Sequence, residues 1–144
     1  MSHQPKSKPK AVACAEWVLW TWTAWTCVFG IYHTWLSIPE YEQQLLEQSQ
    51  GLISIAPDMI MKLAVAVYAL VLVLSIWIII EIGKGKHWAR SSLLWGFAFQ
   101  ILFMFFPPYH GFSEYLADIP DVGLQAASLY LLYTKPGRDW FPKK

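Results

Sequence analysis

Few side chains in this 144-residue sequence could do chemistry, and their spacing says of what kind. Glu16 stands beside Trp17 at the start of a long apolar run. A carboxylate in a membrane-facing stretch is a functional residue by default, because burial raises its pKa and equips it to carry a proton or an ion. The plainer role for Glu16 is pairing with Lys84, Lys86 or Arg90. His33 lies near the far end of the same run and His110 in a later loop, with Tyr109, Glu114 and Asp118 close in sequence to His110. Histidines and carboxylates together suit a transition metal. Neither His33 nor His110 sits in an HxxxH or HxxE spacing, so they are candidates for a metal or an outer-face catalytic site and no metal is assigned. Gln100 falls in the middle of another apolar run, where an amide needs a partner; Thr23, Thr26 and Thr34 are the donors and acceptors on offer. Cys14 and Cys27 form no CxxC and read as small membrane residues. No Ser-His-Asp order, phosphate loop or dinucleotide fingerprint occurs. No catalytic residue and no cofactor follow from the sequence, and a non-enzymatic role leads.

The elements that position these residues are apolar runs. Residues 11–36 (AVACAEWVLWTWTAWTCVFGIYHTWL) exceed the about 20 needed to cross a bilayer. Counted at about 3.6 residues per turn, Val18, Trp22, Trp25, Phe29, Tyr32 and Leu36 make a bulky aromatic stripe. Thr23, Thr26, Cys27, Gly30, His33, Thr34 and Ser37 make a small, polar one. Small and hydroxyl-bearing residues let helices approach closely, so the second stripe is expected to pack against the third and fourth spans. Ser37, Pro39 and Glu40 resemble a helix start, which predicts a separate short helix over 39–50. Pro57 and Asp58 open the most hydrophobic span, and Glu81 near its end is expected to pair with Lys84 or Lys86. KGKHWAR makes a basic turn. Ser92, Gly96 and Gln100 share one face of the third span, which Pro107 and Pro108 stop. Asp118, Pro120 and Asp121 predict the start of a fourth helix, in which Gly123 and Ala127 are spaced for close packing.

Composition supports the same architecture. The chain is 56% hydrophobic and 15% charged, against roughly 25% charged for a soluble domain. A net charge of +1 lacks the clustered basic face that nucleic acid requires. The expected fold is an all-α integral membrane protein, an antiparallel four-transmembrane-helix bundle. Its spans lie at about 12–37, 59–83, 90–106 and 119–134, flanked by a disordered basic tail over 1–10 and a basic tail over 135–144. Residues 1–10 have no removable signal core. Of eleven Lys and Arg, only Lys62 lies outside the N-terminal tail, the middle turn and the ending. By the positive-inside rule both termini are cytoplasmic and the outer loops are 38–58 and 107–118.

The GKHWAR turn and the LLYTKPGRDWF ending resemble small bacterial four-span inner-membrane proteins of unassigned function, which implies a multi-pass inner-membrane location. The layout is also similar to the four-helix EXPERA sterol-binding and sterol-isomerising family, through CAEW near the start, an aromatic first span and a basic ending. That family places acids deep in its pocket, and mid-span positions here carry none; the resemblance implies a bound apolar ligand.

The expected function is that of an accessory or assembly protein, or a binder of an apolar ligand. Trp22, Thr23, Thr26, Cys27, Gly30, Thr34, Gln100 and Gly123 would line the ligand or packing interior. Partners are the bilayer, a membrane protein or second copy, and an apolar ligand. The alternative is a small dimeric secondary transporter working through Glu16, Gln100 and the threonines. A further alternative is a membrane enzyme using His33 and His110.

Overall fold

The longest uniform apolar run forms the plainest helix. Pro57–Gly83 is α2. Pro57 suits its first turn, where the missing N–H has no intrahelical partner. Asp58 places an acid at the positive helix end, and its carboxylate accepts from Lys62 Nζ at 2.6 Å. The helix ends in a Schellman turn. The Lys86 amide donates to the Glu81 carbonyl at 3.0 Å and the Gly85 amide to that of Ile82 at 2.9 Å. Gly85 sits at φ +74°, the left-handed region that glycine enters without a Cβ penalty.

The computed structural model describes residues 7–48, 56–104 and 112–141, with no strand among them. Their elements are α1 (Lys10–Gln48), α2, α3 (His87–Met104), α4 (Phe112–Tyr133) and α5 (Lys135–Arg138).

Two prolines expected at helix starts lie inside helices. Pro39 does not start a new helix but lies inside α1, which runs on to Gln48. Pro120 likewise lies inside α4, which begins at Phe112 instead of 119. Each proline removes one N–H from the ladder, and the strong helix formers around it (Glu, Gln, Leu, Ala) carry the helix past the gap. Among the described residues only α2 is long and apolar enough to cross a membrane, by length and composition. That overturns the four-transmembrane-helix bundle, and with it the loop count that put both termini in the cytoplasm. The physical reason is polarity within the other runs. α1 carries Glu16, His33 and four threonines among tryptophans; α3 opens with His87 and Arg90 and contains two serines and Gln100; α4 contains Asp118, Asp121 and Gln125.

The chain divides into two compact units, Met1–Trp22 with Ser75–Lys144, and Thr23–Leu74. The first unit has a core of Val12, Ala15 and Leu19 from α1, Ile79 and Ile82 from α2, Ala89 and Leu93 from α3, Leu129 and Leu132 from α4, and Phe141. These residues recur every three or four positions, one face of each helix. α4 packs on α3 and on α5. The ending expected to be a tail is folded back. Thr134 caps α5 in extended conformation with Pro136 in its first turn, and buried Gly137 fits against the backbone of Leu131 and Leu132. In the second unit the Tyr68 ring occupies the space beside Gly30, and Cys27 Sγ points at the Tyr68 carbonyl at 3.8 Å. Trp25 and Phe29 stack at 5.2 Å. Every buried residue of α2 (Ser75, Ile79, Ile82) lies in its last third; Leu63, Leu70 and Val73 are exposed.

Candidate functional site

Within the first unit, one face each of α1, α2, α3 and α4 leaves a cavity of about 250 Å³. Its walls are apolar: Leu19 and Trp22 one turn apart on α1, Ile78 and Ile79 on α2, Leu93 and Phe97 on α3. Ser75, Ser92 and Gln125 bring polar groups to it. Gly96 lines it too and contributes no side chain; a Cβ there would meet no atom within 4 Å.

Two polar atoms of the lining residues are buried without a hydrogen-bond partner, Trp22 Nε1 and Gln125 Oε1. One donates and the other accepts. Leaving such groups unpaired costs about 1–3 kcal/mol each. Ser128 does not relieve Gln125, since its hydroxyl donates to the Gln125 backbone carbonyl at 2.8 Å. Farther along the same seam Gln100 Nε2 donates to Asp121 Oδ2. Gln100 is one turn beyond Gly96 on α3, and Asp121 one turn before Gln125 on α4. The α3–α4 contact thus carries one polar pair beside its apolar core, and one turn away, at the cavity, the Gln125 side-chain oxygen is unmatched.

The residues singled out from the sequence are not gathered in one place. Trp22 lines the cavity. Thr23 is buried at 2% exposure with its hydroxyl unpartnered. Cys27 and Gly30 lie against Tyr68 of α2. Thr26 is half-buried, and Thr34 donates to the Gly30 carbonyl of its own helix at 2.8 Å. Gln100 pairs with Asp121, not with a threonine of α1. Gly123 is exposed, with nothing within 4 Å of where a Cβ would stand, so it is no close-packing position. His33 Nδ1 lies 3.5 Å from Ser37 Oγ, and His110 lies outside the described residues. Among the described residues no group of three His, Cys, Asp or Glu could hold a metal. Sequence reasoning missed Gln125 and Ser128; their i, i+3 spacing on the small-residue face of α4 was the available signal.

Glu16 has a partner other than those expected. Lys8 Nζ donates to both carboxylate oxygens at 2.8 Å, and the carboxylate rests against the backbone of Gly83. Lys84 is engaged with Glu81 at 2.6 Å, and Arg90 is held elsewhere. The Lys8 and Glu16 side chains are 39% and 18% exposed, so the pair is partly screened by solvent and contributes about 1 kcal/mol. Glu16→Gln is expected to leave the protein folded with a thermal midpoint within a few degrees of wild type. A collapse of the fold would show that the carboxylate carries more than this one ion pair.

At the α2–α3 turn Arg90 is 6% exposed. Its guanidinium lies over the Tyr133 ring at 4.5 Å and the Phe141 ring at 4.6 Å. Nη2 donates to His87 Nε2 at 3.0 Å, while Nε and Nη1 have no partner. Gly85 fits closely beside Trp140, which ties the ending to the turn.

No protein-family model, curated protein sequence or solved structure matches the chain.

Proposed function

We propose that the protein is a membrane-attached, non-enzymatic binder of a small apolar ligand that carries one hydroxyl or carbonyl group. The observation that carries this reading is the pair of unpartnered buried atoms, Trp22 Nε1 and Gln125 Oε1, on residues lining an otherwise apolar cavity. Ligand sites are typically apolar walls with a few polar groups that fix orientation. A hydroxyl can donate to Gln125 and a carbonyl can accept from Trp22, and either relieves a desolvated group. The volume, about 250 Å³, falls below the usual range of about 300–1,000 Å³. It suits a ring or a short chain, or that part of a larger amphiphile.

Membrane attachment rests on α2. Its first two-thirds leave Leu63, Val65, Val67, Leu70 and Val73 uncovered, more contiguous apolar surface than water-exposed proteins tolerate, and its length and composition suit a bilayer. The transporter and enzyme readings have no comparable support: Glu16 is ion-paired with Lys8, and His110, which the enzyme reading needs beside His33, lies outside the described residues.

The full chain purified in mild detergent is expected to yield an apolar compound in near-stoichiometric amount on solvent extraction and mass spectrometry. A medium-chain alcohol should raise the thermal midpoint more than the alkane of equal length. Gln125→Leu should erase that preference, weakening alcohol binding roughly tenfold, the equivalent of one hydrogen bond. An empty extract together with equal midpoints in alcohol and alkane would refute the reading.

A further inference from the structure

Arg90 is a permanent cation held almost wholly out of water, and among the described residues no carboxylate accepts from it. Burying a charge unpaired is costly. The two aromatic faces offset part of that cost but offer no acceptor to the N–H groups. The α3 end is adverse as well. Arg90 stands in the first turn, at the positive end of the helix dipole, and that turn contains no acid.

The donor pattern is specific. A guanidinium presents two in-plane forks, Nε with Nη2 and Nη1 with Nη2. His87 takes one hydrogen of Nη2, and Nε and Nη1 take nothing. Whichever Nη2 hydrogen His87 uses, one fork keeps both donors. The Tyr133 and Phe141 rings lie 4.5 and 4.6 Å from the guanidinium carbon and offer it no acceptor, so the free N–H fork is left for an in-plane partner, the geometry of bidentate oxyanion binding. Lys86, Lys135 and Arg138 stand exposed on the flanking segments. The acids on those segments are Glu81, taken by Lys84, and exposed Asp139.

We propose that Arg90 is the seat of a phosphate-binding site, taking either free inorganic phosphate or the phosphodiester of an anionic lipid headgroup. The guanidinium fork binds two phosphate oxygens. His87 fixes the guanidinium from the opposite edge, and Tyr133 and Phe141 hold it flat. Both unpartnered nitrogens are shielded, and Phe141, at 3% exposure, forms part of the shield.

The test compares the full chain in neutral detergent under four conditions. These are sodium phosphate against sodium chloride at matched ionic strength, and mixed micelles with phosphatidylglycerol against phosphatidylcholine. Wild type is expected to gain on the order of 5 °C in thermal midpoint at about tenfold excess over Kd in at least one arm. A gain with phosphate identifies the free ion; a gain with phosphatidylglycerol alone identifies the headgroup. Arg90→Met, which keeps the apolar stem between the rings, should lose the gain in both arms. It should be no less stable than wild type in chloride and phosphatidylcholine, because an unpaired charge has gone. Equal wild-type midpoints in all four conditions, or a gain that persists in Arg90→Met, would overturn the proposal. Should Arg90→Met fail to fold, the wild-type arms alone decide.

Discussion

Gly96→Leu is expected to abolish ligand retention while raising the thermal midpoint. Gly96 lies within α3 and lines the cavity, and no atom stands within 4 Å of where its Cβ would be. Replacing a mid-helix glycine removes a helix penalty of about 0.5–1 kcal/mol. Gly96 is an exposed position on the cavity wall, so an isobutyl group there occupies part of the 250 Å³ space and adds at most about 1 kcal/mol of apolar contact. The two effects on stability have the same sign, a gain of a few degrees. Binding should fall by a hundredfold or more, because the occupied volume is the ligand's own. Solvent extraction with mass spectrometry reads the retention, and a thermal scan reads the stability. A variant that still carries the wild-type compound would place the ligand elsewhere.

Gly137→Ala should be the most damaging single methyl group in the chain. Its Cβ would overlap the Leu131 carbonyl oxygen and come within 3.0 Å of Leu132 Cα. These are backbone atoms of α4 and cannot turn aside. α5 must retreat, taking Phe141 out of the core and Trp140 from Gly85, and stripping one ring from Arg90. Overpacking costs about 1–3 kcal/mol and loss of Phe141 burial about 1.5–3 kcal/mol, so the expected total is roughly 3–5 kcal/mol. Gly30→Ala provides the contrast. Its Cβ would overlap only the far end of the Tyr68 ring, which can rotate away. Thermal scans should rank Gly137→Ala well below Gly30→Ala, and amide exchange at 138–141 should accelerate only in the former. Equal midpoints would mean that the ending is not anchored through Gly137.

α2 was legible because a continuous apolar run bounded by Pro-Asp and by Gly-Lys-Gly has one helical reading, and the glycine turn after it follows from local chemistry. The limits of α1 and α4 were not legible. Proline marks a helix start when the preceding residues cannot stay helical, and Ser37-Ile38 and Asp118-Ile119 both do. The number of spans failed for a related reason. Length was read without weighing the polar atoms of Trp, Thr and Tyr, so a half-polar run such as 11–36 was given the same weight as 59–83. Spacing placed Ser92, Gly96 and Gln100 on one face of α3 but could not say what lay opposite. Gly96 and Gly123 are both exposed with no atom within 4 Å of a Cβ, and of the two only Gly96 borders the cavity. Arg90 reads in the sequence as a topology charge and a candidate partner of Glu16, because no sequence pattern reveals that two aromatic residues more than forty positions later in the chain pack against it.

The confinement of α2's buried residues to its last third has a consequence for biogenesis. Synthesis runs from the N-terminus, so α2 leaves the ribosome before α3, α4 or α5 has emerged to cover Ile79 and Ile82. Before Ser75, Leu63, Leu70 and Val73 stay exposed among the described residues. The nascent protein thus carries a sticky segment from the moment of emergence, and the hazard of aggregation is set by the time before a bilayer or a chaperone receives it. Cell-free translation should give insoluble product in plain lysate and recover it when liposomes are present from the first minute. Liposomes added after translation should recover much less.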